Sequence, residues 1–332
     1  MGTLKEELCR REEAFLSPYA FPSSKTKGRL HGISPDDTRT EYQRDRDRII
    51  HCKAFRRLMH KTQVFLSPED DHYRTRLTHT LEVMQIARSI ARAMRLNEDL
   101  VEAIAFGHDL GHTPFGHAGE RQLNRMVPGG FKHAVQSLRV ADVLEDLNLT
   151  YEVRNGILYH SGDEMASTLE GQVVKYADRI AFLNHDIDDA VRAGVFSEEE
   201  IPLMIRNVLG YDTGERISTM IDAVVRFGAD KGVIRMEGEV AEASDELMKL
   251  MFAMVYTNPK AKGEEVRAES MLGQLYEYYC AHPDLLPEVY ARNLENDGVE
   301  RCVADYVSGM TDRYAISTFK SLFIPKVWQG MA

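Results

Sequence analysis

Seven of the twelve histidines (His72, His79, His108, His112, His117, His133 and His160) fall between positions 72 and 160. The densest run is H-D-L-G-H-T-P-F-G-H-A-G-E, from His108 to Glu120. His108 and Asp109 follow an apolar stretch (Val101, Ile104, Ala105, Phe106) and precede Gly111, which places two metal-capable side chains at a helix terminus. Neighbours on a helix diverge by about 100°, so such a pair can flank one ion only where the helix ends. Further ligands must come from elsewhere. The candidates are His79 on an upstream helical stripe and Asp178 in Y-A-D-R-I-A. Two imidazoles with two carboxylates make a mixed N/O site that leaves positions open for water and a substrate oxygen, which is hydrolytic chemistry. An isolated His-Asp pair is more often a helix-terminal His beside a solvated Asp; here His112 and His117 follow within nine residues.

His117 and Glu120 stand three residues apart, on one face of a helix. A carboxylate that fixes an imidazole in one tautomer prepares it for acid–base work near neutral pH. Arg76 stands three residues before His79 and Arg179 directly follows Asp178, and guanidinium suits bidentate contact with phosphate oxygens.

The elements that must position these residues read as helices. Apolar residues recur at helical spacing in Leu77, Leu81, Met84, Ala87, Ala91 and Met94, in Val135, Leu138, Val143, Leu144 and Leu147, in Val173, Val174, Ala177, Ile180 and Ala181, and through Glu246–Tyr256. The expected class is all-α with at most a short β-hairpin, the best strand candidate being Val233–Met236. Breaks are expected at Ser17–Asp37, Pro68–His72, Pro128–Gly130 and Asn258–Gly263. The expected organisation is an N-terminal helix and loop (1–39), a catalytic core (40–195) and a C-terminal helical region (196–332) that completes the site and supplies oligomer contacts, all one compact unit.

With 43% hydrophobic and 28% charged residues, the composition is that of a soluble globular chain, and no run approaches the ~20 apolar residues of a membrane span. Cys9, Cys52, Cys280 and Cys302 are scattered without C-x-x-C pairing, so neither a disulfide framework nor a thiolate zinc site is suggested. The N-terminal MGTLKEELCRREEAF is charged where a signal peptide is apolar, and Glu6 stands where a myristoylation signal wants Ser or Thr, so a cytoplasmic location is expected. The net charge of −11 disfavours polymeric nucleic acid as a partner. The stretch Arg39–Lys61 runs against that balance with eight basic and three acidic residues, a local reversal that needs a reason.

Five ordered segments carry a family resemblance: Arg44–Phe65, Thr75–Val83, His108–Glu120, Phe131–Val140 and Ala177–Ala190, with a late D-Y-V-S-G-M-T-D-R-Y-A at Asp305–Ala315. Together they resemble the deoxyguanosine triphosphate triphosphohydrolase (dGTPase-like) branch of the HD-domain phosphohydrolases. The resemblance implies an HD-domain helical core with additional C-terminal helices. It implies His79, His108, Asp109 and Asp178 as ligands of a divalent ion, Mg²⁺ or Mn²⁺ first and Fe, Co, Ni or Zn as alternatives. It implies His117 and Glu120 as catalytic, and His112, His133, Gln63 and Asp186 beside the nucleotide, with Arg76 and Arg179 on phosphate. The implied reaction takes a dNTP and water to deoxynucleoside and tripolyphosphate. A homo-oligomer, hexameric or dimer-based, and a second dNTP as effector are implied partners. One position departs from the family: relatives commonly carry Tyr four residues after the last ligand, where this chain has Phe182. The alternatives are another HD phosphohydrolase, acting on a 5′-nucleotide, a cyclic nucleotide or a guanosine polyphosphate, and a non-catalytic binder of nucleotide or single-stranded nucleic acid.

Overall fold

The computed structural model describes residues 2–63, 74–256 and 259–325. Its helices are α1 (Leu4–Phe15), α2 (Glu41–His51), α3 (Lys53–Arg57), α4 (Arg76–Ala93), α5 (Glu98–Gly107), α6 (Gly116–Met126), α7 (His133–Arg139), α8 (Tyr151–Leu158), α9 (Leu169–Arg192), α10 (Leu203–Leu209), α11 (Thr213–Gly228), α12 (Gly238–Met251), α13 (Pro259–Ala281), α14 (Glu288–Ala291), α15 (Leu294–Asp297), α16 (Val299–Ser308) and α17 (Asp312–Phe323). Several begin on the caps that the sequence supplies. Thr40 and Thr75 accept from the third backbone N–H of α2 and α4, and Asn97 does the same for α5. Among the described residues there is no strand, only isolated bridges between Arg29 and Thr150 and between Thr62 and Thr75. Val233–Met236 does alternate, with Ile234 and Met236 buried and Val233 and Arg235 exposed, but no second segment pairs with it. No described helix is long and apolar enough to cross a membrane.

Helices α4, α5 and α9 pack on one another, with α2 and α8 against α5. The buried face of α4 is Val83, Ile86, Ala87, Ile90 and Ala91, so the expected stripe is rotated: Leu81 is 43% exposed. Val135 is likewise exposed, and Val140–Leu144 continues α7 as a π-turn, which re-aims Val143 and Leu144. The α9 stripe of Val173, Val174, Ala177, Ile180 and Ala181 is fully buried. Breaks fall at Ser17–Asp37, interrupted by a single turn at Ser23–Lys25, and at Pro128–Gly130. Pro68–His72 and Asn258 lie outside the described residues, while 259–263 are the first turn of α13, where proline is tolerated because its missing N–H has no helical acceptor there.

Apolar packing forms two cores that do not follow the expected boundary near residue 195. Ile205, Leu209, Met220, Val224, Leu247 and Met251 join the first core with α2, α4, α5, α8 and α9. Phe115, Leu123, Val127 and Phe131 instead join α13, α16 and α17 in the second. The helix that carries His117 and Glu120 therefore rests on the C-terminal helices.

The N-terminal loop is pinned to the core by carboxylates. Glu170 of α9 accepts from the Phe21 and Asn97 backbone N–H groups, and Glu152 from the Thr26 hydroxyl and Lys27 N–H. Burial raises the Glu170 carboxyl from an ordinary 4.5 to about 7. The folded state thus binds this proton more tightly than the unfolded chain does. The associated stability is full below pH 4.5 and is lost as pH rises through 7, a difference of about 3 kcal/mol by pH 8. Glu170→Gln keeps an acceptor for both N–H groups and removes the titration. In urea unfolding the variant is expected to match the wild type near pH 4.5 and exceed it at pH 8; parallel curves at both values would refute this role.

Candidate functional site

The site is assembled where α5 ends. His108 caps α5, and the chain turns through 108–111 before α6 begins at Gly116. Gly111 admits no side chain, because a Cβ there would collide with the Ser137 nitrogen and the Gln136 carbonyl carbon of α7. The buried Ser137 hydroxyl donates to the His108 carbonyl at 2.6 Å and accepts from the Gly111 N–H at 2.9 Å, locking the turn.

His108 Nδ1 lies 2.6 Å from the Ala105 carbonyl, an atom that can only accept, so the proton sits on Nδ1 and Nε2 offers a lone pair. That Nε2 is buried, has no protein partner, and stands 3.7 Å from Asp109 Oδ1 and 3.9 Å from Asp178 Oδ1. His79, in the first turn of α4, brings Nε2 to 3.0 Å from Asp178 Oδ1. One ligand atom each from His79, His108 and Asp109 lie within 4.8 Å of one another, and Asp178 closes the set through both imidazoles. Asp178 thus adjoins the His79–His108–Asp109 group. The fit of these four to a divalent ion rests on this N/O donor set and on the unpartnered His108 Nε2. Burial pushes the Asp109 carboxyl up, but Arg76 together with the His108, His112 and His79 imidazoles holds the group well below its ordinary range. Asp178 sits at about 2, where burial is outweighed by the hydrogen bond from His79 together with the charge of the His108, His79 and His160 imidazoles.

Arg76, only 2% exposed, gives Nη1 to Asp109 Oδ2 at 2.7 Å, while Nε and Nη2 find no protein acceptor. Both ring nitrogens of buried His112 also lack a partner. Burial, then Arg76, holds this imidazole well below its usual pKa, so it is neutral. His117 projects outward, its side chain 71% exposed, with Nδ1 3.4 Å from Glu120 Oε2. Glu120 is held more closely by His133, whose Nδ1 lies 2.9 and 3.1 Å from the two carboxylate oxygens and whose backbone N–H donates at 2.8 Å. Burial would raise the Glu120 carboxyl, but His117 and His133 drive it far below the ordinary range.

The remaining expected residues divide. The Gln63 backbone lies beside Gly116 at the start of α6. Asp186 is buried two helical turns beyond Asp178 on α9, and half-buried Phe182 lies midway on the same face. Arg179 is not brought in: its Nη2 pairs with Asp245 of α12, because one residue along a helix turns the side chain by about 100° away from Asp178. The basic stretch is mostly spent on the scaffold. Arg39 pairs with Asp36 and Asp47, Arg46 with Asp99 and Glu102, and Arg57 with Glu145. Only Lys61 reaches the site, buried and bonded to the His112 and Ser308 carbonyls.

Three further residues, Asp312, Ser137 and His160, shape the site without a distinctive signal of their own in the sequence. Asp312 accepts from Thr62 N–H, the Thr62 hydroxyl and Phe115 N–H, so the late D-R-Y-A motif clamps the loop ahead of α6 while Phe115 adopts a left-handed φ of 60°. Ser137 lies in the F-K-H-A-V-Q-S segment, and His160 is the last of the seven histidines between positions 72 and 160. Its Nε2 stands 3.1 Å from His133 Nε2.

An HD domain matches residues 76–183, and a phosphohydrolase-associated domain matches residues 234–321. With the helical fold and the His/Asp cluster, these define a hydrolase of the HD phosphohydrolase class. The chain is 53% identical over 329 residues to a deoxyguanosinetriphosphate triphosphohydrolase-like protein of Caldanaerobacter subterraneus subsp. tengcongensis, covering 98% of this chain and 96% of that one. It is 47% identical to a protein of the same description from Desulfatibacillum aliphaticivorans, covering 97% and 99%. A solved phosphohydrolase from Bacteroides thetaiotaomicron shares the fold, with a TM-score of 0.52 at 18% identity over 83% of this chain and 68% of that one. The chain belongs to the deoxyguanosinetriphosphate triphosphohydrolase-like family.

Proposed function

We propose that this protein hydrolyses a deoxynucleoside triphosphate to deoxynucleoside and tripolyphosphate. The observation that carries this reading is the run of buried polar atoms without protein partners, from His108 Nε2 to Arg76 Nε and Nη2 and both nitrogens of His112, adjoining exposed His117. Such atoms are costly to bury unless a ligand completes them. A divalent ion held by His79, His108, Asp109 and Asp178 would supply Lewis acidity at an α-phosphate oxygen. The unpaired edge of Arg76 and the neutral His112 face the same region and offset phosphate charge as it redistributes in the transition state. Water attacks the α-phosphorus, the bond to the 5′-oxygen breaks, and that oxygen takes a proton as tripolyphosphate departs. His117, exposed to the substrate side and tied to Glu120, handles a proton in this exchange. Gln63 and Asp186 contact the sugar, beside Phe182. Because Phe182 lacks the hydroxyl that relatives commonly carry, discrimination against ribonucleotides is weakened. Assembly as a dimer-based or hexameric oligomer and activation by a second dNTP belong to the same reading.

The test is to incubate the protein with each dNTP and each matching ribonucleotide, with Mn²⁺ or Mg²⁺, and to resolve the products by ion exchange. Deoxynucleoside with tripolyphosphate is expected. Monophosphate with pyrophosphate would mark another phosphohydrolase, and binding without turnover a nucleotide sensor.

A further inference from the structure

His160, two residues beyond α8, is buried at 2% exposure and touches both halves of the site. Its ring packs edge-on against His108, with centroids 5.0 Å apart. Its Nδ1 stands 2.7 Å from the Ile157 carbonyl, which only accepts, so Nδ1 carries a proton and Nε2 is the atom turned toward His133. On the far side of the His133 ring, Nδ1 is engaged by the Glu120 carboxylate. Both nitrogens of His133 are therefore occupied by protein partners. A ring held this way has no N–H left for a phosphate oxygen, unlike His112 stacked against it at 4.7 Å, whose nitrogens are both unpartnered.

We propose that His160 is a positioning residue for the hydrolytic reaction, and that His133 acts as its spacer rather than as a substrate contact. The chain runs from the Ile157 carbonyl through His160 and His133 to Glu120, whose second oxygen meets His117 Nδ1. Fixing His160 at one end fixes the plane of the His133 ring, and that plane sets how the Glu120 carboxylate is presented to His117. An exposed imidazole on the first turn of a helix has few other restraints, so its orientation depends on this buried line of hydrogen bonds. The inference rests on the reading of His117 and Glu120 as the proton-handling pair.

The test compares His160→Leu, which fills the space without an acceptor, with His160→Gln, whose amide oxygen restores one. His160→Leu is expected to lower kcat for tripolyphosphate release on the order of 10- to 100-fold, with KM and bound metal per chain unchanged. His160→Gln should regain most of the loss. An unchanged kcat in His160→Leu, a fall that only tracks loss of metal or of helical signal, or a Gln variant as impaired as Leu would overturn the proposal. A second readout does not depend on turnover: the His133 Nδ1–H proton resonance, assigned by its absence in His133→Gln, should shift in His160→Leu and return in His160→Gln. Were the wild type to release no tripolyphosphate, the functional reading would fail, while this resonance would still decide the His160 geometry. A resonance unmoved in His160→Leu would overturn that geometry.

Discussion

Asp178→Asn is expected to abolish tripolyphosphate release, with kcat falling on the order of 1,000-fold or more, and to lower the bound metal per chain measured by elemental analysis. The substitution keeps shape and changes charge. Asp178 reaches His79 at 3.0 Å and approaches His108 at 3.9 Å, so it is the carboxylate that joins the two imidazoles. Its carboxyl, at about 2, is ionised across the neutral range, and an amide cannot replace that charge toward a divalent ion. The side chain is 24% exposed, more open than Asp109, so the exchange leaves no fully buried charge unpaired and the helical signal should persist. Asp109→Asn would be the less informative variant, since it also strips Arg76 of its carboxylate partner. Full metal content with full activity in Asp178→Asn would remove Asp178 from the ligand set.

Glu120→Gln is expected to lower kcat by roughly 100- to 1,000-fold while KM and metal content change little. The carboxylate serves three donors: His133 N–H, His133 Nδ1 and His117 Nδ1. An amide presents one oxygen and one NH₂, so one of those imidazoles must face a donor instead of an acceptor. None of the four candidate ligands bonds to Glu120, and this separates the variant from Asp178→Asn: the first should lose turnover with the metal retained, the second both together. Steady-state kinetics beside elemental analysis makes the comparison. A fall in metal content equal to the fall in kcat would show that Glu120 acts on the metal centre and not on proton handling.

The nearness of His79, His108, Asp109 and Asp178 was legible in the sequence because the signal is local. A His-Asp pair at the end of an apolar helix, an upstream helical His and an Asp in a buried stripe need only converge, and α4, α5 and α9 pack together to make them do so. The partner of Glu120 was not legible in the same way. Spacing of three residues pointed to His117, and that contact exists at 3.4 Å, yet His133, thirteen residues away across the Pro128–Gly130 break, lies closer. Sequence adjacency misled at Arg179, where helical rotation directs the side chain to Asp245. The charge of Arg39–Lys61 could be counted but not assigned, because the acidic residues that meet it come from distant positions such as Asp99, Glu102 and Glu145. Periodicity found the helices and missed rotation on α4, since Leu81 and Val83 are both apolar and only packing against α9 chooses between them.

In the proposed reaction water attacks the α-phosphorus and intact tripolyphosphate departs. Hydrolysis of dGTP in ¹⁸O-enriched water, followed by ³¹P NMR and mass spectrometry of both products, tests it most directly. Tripolyphosphate carrying one ¹⁸O on a terminal phosphorus and a deoxynucleoside with unlabelled 5′-oxygen are expected. Label in a monophosphate or in pyrophosphate, or in the 5′-hydroxyl of the nucleoside, would contradict it.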